Sequence, residues 1–306
     1  MILCVSPNLC YDRILTVPGF ALGGLHQAER ATPLAGGKGF NVARAARALG
    51  ERPVVTGFIG GTVGEAIARG AQCSGLTLDA VRVPGESRSC TIIVNPGQGE
   101  TVINERGIAV DPRALRALRR RVRRQSARAQ AVVFSGSLPP GTPDDLYATL
   151  IADVAPRPTI LDSSGEGLRR GLDAAPTVAK PNRLELEEAV GRRLGTPADV
   201  ADAGRNLRDR GIAWVIVSLG EEGAVLVCAN GAWHLRAPSV ERINAIGAGD
   251  TLAAALAVGL IWGLAPLEAA LLGVAAAAAD VLTELPGNVT AGTVASLVPE
   301  VSARRL

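Results

Sequence analysis

The chain has 306 residues, 47% of them hydrophobic and 20% charged, with a formal net charge of +3. That length and composition fit one large α/β domain with a real core and exclude a disordered chain. So small a net charge gives no whole-chain reason to expect nucleic acid or an acidic membrane as partner.

The chain opens on MILCVS, a short apolar run that reads as a strand; it is too short and too uncharged at its start for a secretory signal. RILTVPGF and LHQAERAT, within residues 13–32, show strand-like alternation with no helix between them. AGGKGFNVARAARAL then brings a glycine-rich turn, Gly36, Gly37 and Gly39 around Lys38, into a helix over 41–49 that Gly50 ends. Such a turn opens its helix toward an anion or a hydroxyl; the plainer alternative is a tight connection with an exposed lysine. Composition weakens that alternative, because only Lys38 and Lys180 of the 32 basic residues are lysine. A compact ammonium enters a crowded turn where a guanidinium fork needs more room.

PVVTGF reads as the next strand, and CTIIVNPGQGETVINE (90–105) as a hairpin of two β-branched strands around Asn95 to Gly99. This hairpin and the 13–32 segment stand outside the strand–helix alternation, so they predict a small sheet off the core, a lid over an active site. RALRALRRRVRRQSAR (113–128) carries Leu115, Leu118 and Val122 at helical spacing. It predicts an amphipathic helix with a solvated arginine face, and no aromatic residues interleave to stack on bases.

AVVFSG, a helix over 144–153, and the strand PTILDS follow. In AKPNRLELEE, Lys180, Asn182 and Glu185 come after a strand end. Lysine is a point charge for phosphate, and a carboxylate three residues past an asparagine can hold hydrated Mg²⁺; the segment also reads as a helix start, over 183–190, with an acid in its first turn. WVIVSLG and AVLVCA are strands around SLGEEGA, where Gly220 and Gly223 form either a hairpin turn or a cradle for a nucleotide. No GxxxxGK[ST] occurs, which excludes a P-loop.

In RINAIGAGDTL, Gly247, Ala248 and Gly249 lead into a helix that begins near Asp250. Unpaired N–H groups at that helix start suit an anion, and Asp250 could accept a proton from a hydroxyl while the amides hold the phosphoryl group it attacks. An N-capping aspartate is the simpler reading of the same residues. Residues 252–282 are apolar enough to suggest a membrane span, but Pro266 and Glu268 interrupt them, so two packed helices are expected. Five cysteines, without CxxC spacing, argue against a disulfide framework or a zinc site and for a reducing cytosol. Alternating strands and helices predict a mostly parallel sheet covered on both faces, with ligands at the carboxyl ends of its strands.

SPNLCYD, GGKGFNVAR, GESRS, SGSLPPG, LDSSGEGL, KPNRLEL, SLGEEGA and NAIGAGD fall in one order and spacing from end to end. In these the chain resembles the PfkB/ribokinase-like carbohydrate kinases, in the branch of 1-phosphofructokinases and tagatose-6-phosphate kinases. The resemblance implies a single ribokinase-like, Rossmann-like α/β domain over 1–306 with a mostly parallel central sheet and a β-sheet lid from segments near 12–34 and 88–106. It implies a cytoplasmic kinase using ATP and Mg²⁺, with Asp250 as base and Gly247, Ala248 and Gly249 as anion hole. Ser218, Gly220 and Gly223 match the nucleotide site. Lys180, Asn182 and Glu185 match the segment that organises ATP phosphates and Mg²⁺, with Glu185 meeting the metal directly or through water.

On the acceptor side Asp12, Gly37 and Asn41 match residues that bind sugar hydroxyls, and Arg88 and Lys38 match cations that receive a phosphate already on the sugar. Ser137 matches a further substrate contact. The implied acceptor is a phosphorylated ketohexose, foremost fructose 1-phosphate at its 6-hydroxyl; tagatose 6-phosphate and fructose 6-phosphate are rivals. A kinase of unphosphorylated sugar or nucleoside, or a non-catalytic regulator, is more distant. The chain departs from the family at Leu9, at Cys90 and at Ala245, the first two near the acceptor. No nucleic acid or membrane partner is expected, and the inserted strands could pair two copies into a homodimer through the lid.

Overall fold

Every residue of the first strand, β1 (Ile2–Val5), is buried, because parallel strands flank it on both sides and helices cover both faces. The computed structural model describes residues 1–306. From β1 the chain turns into β2 (Cys10–Thr16) and returns as β3 (Arg30–Gly36), which runs directly into α1 (Lys38–Ala48). β4 (Pro53–Thr56) and β5 (Phe58–Ile59) precede α2 (Gly61–Cys73), β6 (Thr77–Leu78) and β7 (Val81–Arg82). The hairpin β8 (Arg88–Asn95) and β9 (Gly99–Asn104) follows. Then α3 (Pro112–Ser126), β10 (Ala131–Ser135), α4 (Leu146–Val154), β11 (Thr159–Asp162), α5 (Gly165–Leu172) and β12 (Val178–Ala179) alternate. α6 (Arg183–Val190) and α7 (Pro197–Asp209) lead to β13 (Trp214–Ser218), β14 (Ala224–Cys228) and β15 (Gly231–Arg236). α8 (Ala248–Trp262), α9 (Pro266–Val281), α10 (Ala291–Leu297) and β16 (Ser302–Arg305) come last.

The main sheet has ten strands in the order β16-β15-β14-β13-β12-β11-β10-β1-β4-β6. It is parallel from β6 to β13, with β14, β15 and β16 added antiparallel at one edge. Alternate residues of β1 feed two separate cores: Ile2 and Cys4 join Phe40, Leu256 and Val274 of α1, α8 and α9, whereas Leu3 and Val5 join Leu118, Leu150 and Leu168 of α3, α4 and α5. The strand order reverses between β4 and β10 on either side of β1, so a cleft opens there at the carboxyl ends. A second sheet, β3-β2-β8-β9, stands beside that cleft. Its inner residues Cys10, Ile14, Cys90 and Ile92 pack against Ile246 and Leu285 of the main body.

Three expectations change in detail. Residues 25–29 are not strand, since Gly23 and Gly24 keep the chain in turns and pairing with β2 starts only at Arg30. The helix expected from 41 starts at Lys38, because Gly37, at φ 91°, already ends the preceding strand. The helix expected near Asp250 starts at Ala248 for the same reason, after Gly247 at φ 98°. The apolar stretch 252–282 is two helices divided at Gly263 (φ 70°) and Pro266, and no helix is long and apolar enough to cross a membrane.

Those two helices approach closely because their contact is written in small residues. A Cβ on Gly259 would lie 2.7 Å from Ala269 Cβ and 3.2 Å from its Cα, and backbone cannot swing aside as a long side chain can. Gly259→Val is therefore expected to lower unfolding free energy by about 1–3 kcal/mol, read as a lower urea midpoint at unchanged slope.

Candidate active site

A cavity of about 1410 Å³ lies at the carboxyl ends of β1, β10, β11 and β13, between the main sheet and the smaller one. Every site residue predicted from the sequence lines it. The smaller sheet supplies Asp12 and Arg88; the start of α1 supplies Gly37, Lys38 and Asn41; the turn after β10 supplies Ser137. Lys180, Asn182 and Glu185 come from the β12–α6 junction, Ser218, Gly220 and Gly223 from the β13–β14 turn, and Gly247 to Asp250 from the start of α8.

Asp250 is buried, and its Oδ2 accepts a 2.7 Å hydrogen bond from Asn41 Nδ2, joining helix starts 209 residues apart. Burial pushes its carboxyl up to about 6, opposed by Lys38, Lys180 and the Asn41 bond and reinforced by Asp162. The N–H groups of Gly249 and Asp250 donate to no carbonyl or side chain, so the first turn of α8 presents free donors beside the carboxylate. Gly247 has no alternative: a Cβ there would sit 2.4 Å from Pro286 Cβ.

The two lysines, which the resemblance assigns to different substrates, meet at one carboxylate. Lys38 Nζ lies 2.8 Å from Asp162 Oδ1, and Lys180 Nζ lies 3.3 Å from Asp162 Oδ2, so both meet one fully buried carboxylate. Lys38 is the first residue of α1, and its ammonium reaches the end of β11. Burial pulls the Lys38 ammonium down, but Asp162, Asp250 and Glu185 outweigh it and the net shift is upward. Lys180 Nζ also lies 3.5 Å from where a Gly249 Cβ would be, which brings this charge against the start of α8.

Arg88 is held differently. Its Nε and Nη2 donate to the Asn8 carbonyl at 3.2 and 3.1 Å, and its Nη1 donates to Asn104 Oδ1 at 3.1 Å. No carboxylate pairs with it. Asn8 also donates to Ser137 Oγ at 3.0 Å, which couples Ser137 to the Arg88 support. Asp12 lies over Gly36, where a Cβ would be 2.1 Å from its Cγ, and Oδ1 accepts from the Cys10 thiol at 2.9 Å. Burial raises the Asp12 carboxyl, against Cys10, Arg44, the Gly37 N–H and Arg88.

Asn182 and Glu185 realise the helix-start reading in full: each side chain accepts from the other's backbone N–H at 2.8 Å. This leaves Glu185 Oε1 directed at Lys38, 3.8 Å away. Gly223, at φ 90°, is required by contact, since a Cβ would fall 1.9 Å from the Leu235 carbonyl. No cluster of three or more His, Cys, Asp or Glu side chains forms a ready-made metal cage. The available donors are Glu185 Oε1 and the Asp162 Oδ2 that no hydrogen bond satisfies, hard oxygens that suit Mg²⁺ held mostly by water and phosphate.

Sequence reasoning assigned no role to Asp162, although a carboxylate at the end of a parallel strand is a signal in itself. It also missed Arg44, buried in GGKGFNVAR. Arg44 donates to Asn41 Oδ1, to the Ala35 carbonyl at 2.9 Å and to the Pro286 carbonyl at 2.8 Å. With its oxygen so engaged, Asn41 turns its NH₂ toward Asp250.

Comparison with known proteins gives the family. The profile of the pfkB family carbohydrate kinases matches residues 1–290. A solved structure of a possible 1-phosphofructokinase from Thermotoga maritima is 25% identical, covers 100% of this chain and 99% of its own, and superposes with a TM-score of 0.93. Phosphofructokinase-2 from Escherichia coli, solved with fructose-6-phosphate, is 26% identical over 98% of each chain, with a TM-score of 0.87. Ribokinase from Arabidopsis thaliana, solved with ribose and ATP, shares the fold at 22% identity and a TM-score of 0.75, covering 97% of this chain and 98% of its own. The chain belongs to the pfkB family of carbohydrate kinases, and is a sugar kinase that transfers phosphate from ATP.

With Asp250 as the base, it must be ionised to accept a proton, so kcat/KM is expected to fall as pH drops through about 6 and to level off above it. The Asn41 bond lowers the Asp250 carboxyl, so Asn41→Ala should move that acid limb to higher pH. A kcat/KM–pH profile of both proteins checks the shift.

Proposed function

We propose that this kinase phosphorylates a ketohexose phosphate, fructose 1-phosphate at its 6-hydroxyl, to give fructose 1,6-bisphosphate. The observation that carries the reading is Arg88, an oriented guanidinium hydrogen-bonded only to neutral acceptors, with no carboxylate at ion-pair distance. A phosphate arriving there breaks no ion pair, and a guanidinium fork suits it. Asp12, Gly37 and Asn41 then receive the sugar hydroxyls, with Ser137 beside the phosphate through Asn8. Asp250 accepts the proton of the attacking hydroxyl while the free N–H groups of Gly249 and Asp250 receive charge on the transferred phosphoryl group.

On the donor side, Lys180 and the turn of Ser218, Gly220 and Gly223 hold the nucleotide, and Lys38 lies between donor and acceptor. Glu185 and Asp162 would hold Mg²⁺ through water and the triphosphate; bound there, the ion would offset phosphate charge. The smaller sheet acts as the lid. Its outer strand β9 exposes Val102 and Ile103 along an unpaired edge, which supports a homodimer through the lids, and a light-scattering mass of one chain would refute that. Five free thiols support a reducing, cytoplasmic setting.

Fructose 6-phosphate and tagatose 6-phosphate, taken at the 1-hydroxyl, are the rivals, since each also has phosphate at one end and a primary hydroxyl at the other. An ATP-consumption screen across these three, ribose and fructose decides among them, and ribose or fructose as best acceptor would overturn the reading. Arg88→Ala is expected to raise acceptor KM by about 10²-fold with smaller change in kcat, because it strands a phosphate dianion. Asp250→Asn is expected to keep ATP binding and lose about 10²–10⁴-fold in kcat.

A further inference from the structure

The smaller sheet is tied to the main body by two charged contacts of very different quality. On one edge Arg30 Nη2 lies 2.7 Å from Glu284 Oε2, both side chains more than half exposed, a pair of little energetic weight. On the other edge, Glu100 of β9 is only 9% exposed. One of its oxygens accepts from Arg242 Nη2 at 2.6 Å, and the other accepts from the backbone N–H of Ala245 at 3.1 Å. A side chain that grips backbone fixes the path of the chain, and Ala245 lies two residues before Gly247.

The neighbouring residues have anchors of their own, the N–H groups of Ile243 and Asn244 donating to the Val281 carbonyl at 2.8 and 3.2 Å, but the Ala245 N–H is held by Glu100 alone. Asn244 donates to the Glu284 carbonyl at 2.9 Å and accepts from the Ile246 N–H at 2.9 Å. Ile246 packs into the apolar side of the smaller sheet, and Arg242 has only Glu221, 3.7 Å away and 90% exposed, as another acidic neighbour. Glu100 sits opposite Val94 in the β8–β9 ladder, and the same two strands carry Arg88 and its partner Asn104. One rigid hairpin thus holds the acceptor-phosphate guanidinium at one end and the grip on residue 245 at the other.

We infer that Glu100 is a positioning residue for the anion hole, the link by which the seated lid hairpin sets the free amides of Gly249 and Asp250. This rests on the functional reading above. When the hairpin is seated, the carboxylate holds Ala245, and the turn enters Gly247 at the angle that aims the first-turn N–H groups at the phosphoryl group. When the hairpin lifts, that hold is lost, and bound ATP faces a slack turn.

The test compares Glu100→Ala with Glu100→Gln. Glutamine keeps an oxygen for the Ala245 N–H and loses the charge facing Arg242. Glu100→Ala is expected to lower kcat about 10–100-fold with acceptor KM changed less than about threefold, because the groups that bind acceptor are intact while the amides are misplaced. Glu100→Gln should recover most of that kcat. Hydrogen exchange in the unliganded protein needs no substrate: the Ala245 amide should be protected in the wild type and in Glu100→Gln, and unprotected in Glu100→Ala. Wild-type kcat in Glu100→Ala, a loss of melting temperature alone, or glutamine as poor as alanine would each overturn the proposal. A wild-type enzyme inactive on every sugar phosphate would instead overturn the functional reading, and the exchange comparison would still decide whether Glu100 holds the turn.

Discussion

The charge balance of the cavity turns on Asp162. A carboxylate with no exposed surface is costly unless cations face it, and here both lysines of the chain do so, one on each oxygen. The converse also holds. Lys180 is itself buried, and two ammonium groups this close would repel each other without an anion between them. The trio leaves a net positive charge at the meeting of β11, α1 and the start of α8. That charge opposes the burial which would otherwise keep Asp250 protonated.

A second layer of support runs through Arg44. Its guanidinium is buried, and burial draws it down to about 10 against the pull of Asp12, Asp280 and Asp250. It spends its donors on the end of β3, on the loop at Pro286 and on Asn41. These are the three pieces that must keep register if an amide on α1 is to meet a carboxylate on α8. Asp280, pushed up to about 7 by burial, lies under the same loop and accepts from the Gly287 N–H at 2.7 Å. The precision of the Asn41–Asp250 contact is thus held from behind by groups that need not touch a ligand.

What the sequence revealed follows from what is local. Gly37 before α1 and Gly247 before α8 were legible because a glycine-rich turn that opens a helix is a signature of a few residues. The parallel sheet was legible from apolar runs alternating with helices. The Lys38–Asp162 contact was not, since its partners are 124 residues apart and only the sheet order brings them together. Residues 25–29 misled because alternation alone cannot show that no neighbouring strand is there to pair with. Glu185 was ambiguous for a physical reason that persists in the fold: one oxygen caps its own helix while the other faces the cavity.

The two ends of the cavity differ in how their cations are stored, and that difference bears on selectivity. At the Lys38 and Lys180 end, each ammonium already has a carboxylate, so an incoming phosphate gains only what it adds beyond Asp162. At the Arg88 end the guanidinium rests on a carbonyl and an amide, neutral acceptors that a phosphate outbids. A neutral sugar would leave that guanidinium with nothing better than it had, whereas a sugar phosphate would complete it. Discrimination of this kind comes from a site whose donors are oriented before the ligand arrives, so that the ligand lacking the group forfeits the bond without relief.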